Sequence, residues 1–97
     1  MSIFVYLKLA VKSEDVAEFE RDMHSMDELS KRAPGFMWSD ILKSTTAPNT
    51  WIVVSEWEAR DNTRAWEHSA AHEEIMKKWD KRYAEKWTKK RYTVTSV

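Results

Sequence analysis

The chain of 97 residues contains no cysteine, one glycine and two prolines. The absence of cysteine excludes disulfides, thiolate nucleophiles and thiolate metal ligands. Loops that cradle nucleotide phosphates need glycine where the backbone approaches the phosphate, so a single glycine argues against such a loop. The length suits one domain, which we expect to span residues 1–97.

The sequence also lacks an excess of charge of either sign, because sixteen basic residues balance sixteen acidic ones. This balance favours neither a nucleic acid nor a membrane surface as a partner. No apolar run approaches about 18 residues, and the first four residues lack the basic region of a signal peptide. We therefore expect a cytoplasmic protein.

The apolar pattern alternates in some segments and recurs every three or four residues in others, which predicts strands and amphipathic helices. The predicted order is β-α-β-β-α-β, the split βαβ arrangement of ferredoxin-like domains. It implies an α+β fold in which an antiparallel four-stranded sheet carries its helices on one face. The predicted strands are Ile3–Val11, Phe36–Lys43, Thr50–Glu58 and Arg91–Val97, and the helices run from Ser13 to Ala33 and from Asp61 to about Lys86, kinked near Ser69-Ala70.

The first strand is apolar or aromatic on both of its faces. Phe4 and Tyr6 alternate with Ile3, Val5 and Leu7, so the face away from the helices would form an apolar patch in water. Packing against the same face of a second copy would cover it, and we expect a homodimer. In the second strand, alternation places Phe36, Trp38 and Asp40 on one face, but the sequence leaves open which face meets the helices.

The segment Val53-Val54-Ser55-Glu56-Trp57-Glu58, followed by Trp66-Glu67-His68-Ser69-Ala70-Ala71-His72, resembles the antibiotic biosynthesis monooxygenase family. Pro34-Gly35-Phe36 is similar to the turn before that family's second strand. The resemblance implies a dimeric α+β barrel with a cavity between sheet and helices near Trp66. Some members oxidise aromatic polyketides with molecular oxygen and no cofactor, others degrade haem, and others have no established reaction.

The resemblance implies three catalytic candidates. Trp66 would stack on a planar substrate, with a core tryptophan as the alternative. His72 would accept a proton, since an ordinary imidazole titrates near neutrality, although it could equally be structural. Asn62 would fix a carbonyl or phenolate, with a place near a helix N-cap as the alternative.

Six tryptophans and three tyrosines supply candidates for binding an aromatic substrate. Position along strands and helices directs several of them toward the cavity or toward the dimer seam. Tyr83 could also orient a substrate oxygen. The substrate-binding candidates are Tyr6, Trp38, Trp57, Trp79 and Tyr83.

His68 and His72 are four residues apart, a spacing that can hold a metal on a helix. No third ligand is evident, and a break at Ser69-Ala70 would separate the pair, so we expect no metal site. Haem is the alternative cofactor. The haem degraders of the family place an axial histidine nine or ten residues after the helix tryptophan, where this chain has Ile75 and Met76. They also place an asparagine in the first strand, where it has Tyr6, Leu7 and Lys8.

The sequence thus predicts a cofactor-independent, monooxygenase-like enzyme that oxidises a small planar aromatic or polyketide-like compound with O2. The alternatives are a haem-binding or haem-degrading protein and a non-catalytic dimer that binds a small ligand. If tryptophan and methionine merely fill the space between sheet and helices, no cavity of about 300 Å³, the lower end for ligand sites, should exist there.

Overall fold

The computed structural model describes residues 1–96 and confirms the predicted order of elements. Short 3-10 turns at Ser13–Asp15 and Ala84–Lys86 flank the helical regions. The strands are β1 (Ile3–Ala10), β2 (Phe36–Lys43), β3 (Thr50–Trp57) and β4 (Thr88–Thr93), and the α-helices are α1 (Val16–Ser30), α2 (Arg60–Glu67) and α3 (Ala70–Tyr83).

The four strands form one antiparallel sheet in the order β2-β3-β1-β4, which is the predicted ferredoxin-like α+β fold. The helices pack on one face of this sheet. Phe19 of α1 lies against Trp51 of β3, with ring centroids 4.9 Å apart. Because the helices cover one face only, the burial of side chains alternates along β1: Val5, Leu7 and Leu9 are buried under the helices, while Lys8 is exposed.

Aromatic side chains fill the core at both ends of the helix-covered face. One group joins α1 and α3 to the sheet, and within it Trp79 is fully buried and meets Phe19 edge-on at 5.3 Å. The other group lies under α2, where Trp57 of β3 contacts both Phe36 and Trp66. Edge-on and offset ring contacts of this kind are the favoured geometries for buried aromatic pairs.

A β-bulge in β2 changes which face its aromatic residues occupy. Phe36 pairs with Trp57, whereas Trp38 pairs with Glu56, so the register shifts by one residue between them. A bulge inserts one residue and reverses the direction of the side chains beyond it. The expectation that Phe36 and Trp38 share a face was therefore wrong: Phe36 lies under the helices and Trp38 on the opposite face.

The face of the sheet away from the helices carries an aromatic cluster around Phe4. Its ring lies 6.0 Å from that of Trp38 and 6.3 Å from that of Tyr92. The indole Nε1 of Trp38 donates to Glu56 Oε1 at 2.6 Å, and Ser2 Oγ donates to the other oxygen. These two hydrogen bonds lower the pKa of Glu56, so a carboxylate stays ionised within an apolar surface.

The boundaries of the fourth strand differ from those predicted. β4 begins at Thr88, three residues before the predicted Arg91, and ends at Thr93, and Val97 lies outside the described residues. The segment Thr88-Lys89-Lys90 concealed the start of the strand, because polar and charged side chains suggest a solvated segment. On an edge strand they are tolerated, since Lys89 and Arg91 pair with Glu67 of α2.

The helices end earlier than predicted. α1 ends at Ser30 rather than Ala33, and a turn of three residues precedes Pro34. The second helical region ends at Tyr83 rather than Lys86, yet Trp87 still stacks on Tyr83 at 6.4 Å. Within residues 1–96 no helix has the length and hydrophobicity to cross a bilayer.

Candidate functional site

The candidate site lies where the chain turns from α2 into α3. Ser69 starts α3 as its N-cap: its Oγ accepts the backbone N–H of His72 at 3.3 Å and donates to the carbonyl of Trp66 at 2.7 Å. One hydroxyl thus forms hydrogen bonds with backbone groups at the ends of both helices, which fixes the break at the predicted position. The break directs Trp66 and His72 toward the sheet and leaves His68 exposed at the end of α2.

Trp66 is held between two aromatic partners. Its indole is stacked at 22° over that of Trp57, with centroids 6.2 Å apart, and it meets the edge of the His72 ring at 5.3 Å. Trp57 is itself fixed, because its Nε1 donates to Ser55 Oγ at 2.9 Å and the residue is fully buried. These contacts give a rigid aromatic wall on the α2 side of the sheet.

His72 is buried and uncharged at neutral pH. Burial is the largest cause, followed by the nearby positive charge of Lys89, and together they lower the pKa of His72 to about 4. The carboxylate and backbone of Glu67 oppose the shift only in part. A neutral imidazole can donate one hydrogen bond and accept another, but the charge that follows protonation is costly here.

Glu67 holds two cations of β4 at the edge of the site. Its carboxylate oxygens lie 3.4 Å from Lys89 Nζ and 2.5 Å from Arg91 Nη2. The side chain of Glu67 is 17% exposed and that of Lys89 29% exposed, so this cluster is partly removed from water. With two cations and one carboxylate, the cluster carries a net positive charge beside the neutral His72.

Two small cavities lie between the sheet and the helices, and each has a volume of about 50 Å³. We call them the α1 cavity and the β4 cavity. Both are lined by Met26, Val53, Ser55, Trp57 and Trp66. The α1 cavity is completed by Met23, Asp27, Ser30 and Ser39, and the β4 cavity by Val5, Leu7, Thr63, Glu67, His72 and Lys89.

Neither cavity approaches the roughly 300 Å³ of a typical ligand site. Methionine and tryptophan side chains occupy the space under α2 instead, as expected for a dimer that binds a small ligand without catalysis. Larger spaces lie outside. A groove of about 420 Å³ borders Glu67, His72 and Lys89, and a second of about 270 Å³ borders Asn62 and Trp66. Trp66 and His72 thus separate the inner cavities from the outer grooves.

Asn62 lies on the outer side of Trp66, against the only glycine. Gly35 has φ +82°, and a Cβ added there would approach Asn62 Cγ to 2.2 Å. Gly35 is required both for the left-handed backbone and for this close approach. Asn62 therefore faces the groove beside Pro34 and Ala65, separated by Trp66 from His72.

The structure does not bring the substrate-binding candidates together. Trp57 lines both cavities, but Tyr6 pairs with Val54 and Lys90 on the outer face of the sheet, where Trp38 also lies. Those two side chains face the expected dimer seam instead of the space under α2.

Trp79 and Tyr83 belong to the packing between α1 and α3. Trp79 Nε1 donates to Asp22 Oδ2 at 2.9 Å, and the Tyr83 hydroxyl donates to Asp15. Neither residue lines the α1 or the β4 cavity.

The residues at the two positions where the resemblance implies an axial haem ligand do not fit that role. Met76, at the position implied for an axial ligand, is buried in the core, and Ile75 offers no donor atom. His68 and His72 do not act as a pair, because His68 is exposed on the far side of the break and contacts Glu73. Within residues 1–96, no group of three or more histidine, aspartate or glutamate side chains is placed to hold a metal ion.

Several residues of the site could not be singled out from the sequence. Lys89 and Glu67 stood in charge-rich segments that resemble solvated surface, and Met26 belonged to an apolar helix stripe. The pairing of β1 with β4 places Lys89 opposite Leu7 and therefore on the helix-covered side of the sheet. Only the register reveals this.

Comparison with known proteins gives a consistent family match. The sequence model of the family described as antibiotic biosynthesis monooxygenase matches residues 2–78. Protein SchA of Streptomyces halstedii is 27% identical over 73 residues, which cover 75% of this chain and 19% of SchA. The chain thus corresponds to about a fifth of that longer relative.

Solved structures show the same fold. A conserved protein from Methanosarcina mazei superposes with a TM-score of 0.90 at 20% identity, covering 98% of this chain and 94% of the other. SnoaB, a cofactor-independent oxygenase from Streptomyces nogalater, superposes with a TM-score of 0.81 at 17% identity, covering 99% and 94% of the two chains.

Proposed function

Because the chain belongs to the antibiotic biosynthesis monooxygenase family, we propose that it is an oxygenase that oxidises a planar hydroxyaromatic compound with O2 and needs no cofactor. The observation that carries this proposal is the aromatic wall of Trp57 and Trp66 beside the neutral His72. A flat apolar surface next to a hydrogen-bonding group and a cation suits a phenol that must be bound and deprotonated.

The substrate itself supplies the electrons in this chemistry. A phenolate transfers one electron to O2, and the resulting radical pair forms a carbon–oxygen bond at a ring carbon. Loss of the ring hydrogen then breaks the O–O bond and gives a quinone. One oxygen atom remains in the product and the other leaves as water, so no external reductant is required. The protein has to bind the phenol, remove its proton and exclude water.

His72 and Lys89 would have different roles in the deprotonation of the phenol. A phenol with a pKa near 10 cannot transfer its proton permanently to an imidazole whose pKa is about 4, since about 6 units correspond to about 8 kcal/mol. The ammonium of Lys89 would stabilise the phenolate directly. His72 borders both the β4 cavity and the outer groove, so it would pass the proton outward to water.

Trp66 would stack on the ring of the substrate. Aromatic stacking is worth about 0.5–1.5 kcal/mol beyond the burial of area. Asn62, on the other side of Trp66, would hold a substituent oxygen that reaches the outer groove. Because the inner cavities are small, substrate entry requires a side chain under α2 to move.

A homodimer is part of this proposal. The outer face of the sheet exposes Trp38, Leu42 and Tyr92 by 39%, 48% and 50%. Together with Phe4 they form a surface that is larger than scattered single apolar residues. The same face of a second copy, with its own Glu56 held by Trp38, would cover it.

The second candidate function is binding without catalysis. The small volume of the inner cavities favours it, because methionine and tryptophan already occupy most of the space. It predicts that hydroxyaromatic ligands bind and are released unchanged.

Oxygen uptake with a dihydroxynaphthalene that carries hydrogen on the ring carbon para to a hydroxyl distinguishes the two functions. We expect enzyme-dependent uptake, and under ¹⁸O2 one labelled oxygen atom in each quinone formed. If the compound binds in anaerobic titrations but aerobic assays show no enzyme-dependent oxygen uptake, the oxygenase is rejected and the binding protein remains.

A further inference from the structure

The α1 cavity and the β4 cavity share five lining residues beneath α2, and these residues differ in how they are held in place. Val53 and Ser55 belong to the central strand β3. Trp57 is fixed by its hydrogen bond to Ser55 and Trp66 by its two ring contacts. The remaining member is Met26 of α1, which reaches the sheet from the helix layer.

Methionine is unbranched and has three rotatable side-chain bonds, so it adapts more readily than the other side chains of this group. Met26 is 7% exposed, and Asp27 beside it carries the polar end of the α1 cavity. A rotation of Met26 away from Val53 and Ser55 would join the two cavities and would leave β3 and α2 in place. The joined space would be a slot across the sheet.

Polar groups stand at both ends of this slot. At the β2 edge, Ser39 Oγ donates to Asp27 Oδ1 at 2.5 Å and Ser30 Oγ donates to the Asp27 carbonyl at 2.6 Å. At the β4 edge stand His72 and Lys89. The middle is apolar.

The two ends lie on the edge strands of the sheet. Between β2 and β4 there are three strand spacings of about 4.8 Å, which separates the edge backbones by about 14 Å. The matching ligand is flat and elongated, with fused rings in the middle and oxygen substituents at opposite ends.

We propose that Met26 determines the length of ligand that this site accepts. With its side chain between the cavities, a ligand stays on one side; with the side chain turned away, fused rings span from Ser39 to Lys89. This inference rests on the proposed function and deepens it, because it assigns specificity to a residue of α1 and not to His72 or the ion cluster at Glu67.

Two probes test the inference by binding alone, because neither is oxidised when oxygen is left out. One is a naphthalenediol and the other an anthraquinonediol, each with its hydroxyls at opposite ends of the long axis. Dissociation constants come from quenching of tryptophan fluorescence in the absence of oxygen, and the measured quantity is the ratio of the two constants. Turnover plays no part in this readout.

Three variants are compared with the wild type. Met26→Ala removes the divider, and we expect it to favour the anthraquinonediol by about tenfold relative to the naphthalenediol. Met26→Ile keeps the apolar volume but stiffens the side chain, and we expect it to disfavour the longer probe by about tenfold. Met76→Ala is the matched control, since Met76 is a buried methionine that lines neither the α1 nor the β4 cavity and should leave the ratio within about twofold.

The outcomes separate the inference from the function on which it rests. If both probes bind and the ratio is the same in wild type, Met26→Ala and Met26→Ile, the role of Met26 is rejected and the proposed function stands. If neither probe binds to the wild type, the proposed function and this inference both fail. Near-ultraviolet circular dichroism confirms that Met26→Ile, the variant closest in volume, remains folded.

Discussion

The indole of Trp66 lies edge-on to the imidazole of His72, with ring centroids 5.3 Å apart and planes at 77°. Trp66 lies in the last turn of α2 and His72 in the first turn of α3, so their contact spans the helix break made by Ser69. The pair closes the inner cavities toward the outer grooves. The following expectations depend on that arrangement and on the surfaces around it.

Replacing Trp66 by alanine should lower kcat/KM for a hydroxyaromatic substrate by about three- to tenfold, which corresponds to the loss of one stacking contact. Trp66→Phe should retain most of the rate. Oxygen uptake measures the effect. Trp38→Phe is the control, because Trp38 lies on the outer face of the sheet. Equal losses in Trp66→Ala and Trp38→Phe would show that the effect is not local to the site.

Protonation of His72 should destabilise the fold in a defined pH range. Its pKa is lowered in the fold, so the unfolded chain binds the proton first as the pH falls. Stability should therefore be lost between pH 6.5 and about 4, by about 2 kcal/mol once screening through the outer groove is allowed for.

Urea denaturation of wild type and His72→Gln across this range measures that loss. The variant should have a flatter stability profile. His24→Gln is the control, since His24 is exposed on α1. A profile for His72→Gln that falls as steeply as the wild type would contradict the assignment.

Gly35→Ala should destabilise the protein by more than about 1 kcal/mol, because an L-residue at φ +82° is strained and the new Cβ overlaps Asn62. In the double variant with Asn62→Gly, the loss of stability caused by the overlap should be recovered, whereas the loss caused by the strained φ should remain. Chemical denaturation of the four proteins of this cycle gives both parts. Full recovery in the double variant would show that backbone strain contributes nothing.

A charge placed on the outer face of the sheet should dissociate the proposed dimer. Leu42→Lys alters a side chain that is 48% exposed, so the folded monomer should tolerate it. Sedimentation velocity should change from a species of twice 11.5 kDa to one of 11.5 kDa. Lys81→Leu, an exposed change on α3, should have no effect. A wild type that sediments as a monomer at all concentrations would reject the dimer.

Much of the fold was predictable because it follows from local patterns. Strand β2 was predicted to the residue, and the helix break at Ser69 was expected from the small residues there. The start of β4 was missed, since its polar side chains carry no strand signal. The expectation that Phe36 and Trp38 share a face was also wrong, because a bulge leaves no mark in the alternation of apolar residues.

The sequence by itself determined the order of elements and the family resemblance, and it made Trp66 and His72 candidates. These depend on spacing along one element or on a short motif. The tertiary structure alone decided which side chains meet: Lys89 and Glu67 beside His72, and Met26 between the cavities. It also placed Tyr6 outside the site, on the far face of the sheet. The reason is that contacts between β1, β4 and the helices depend on strand register and packing, and residues that are distant in the chain carry no joint signal of their proximity.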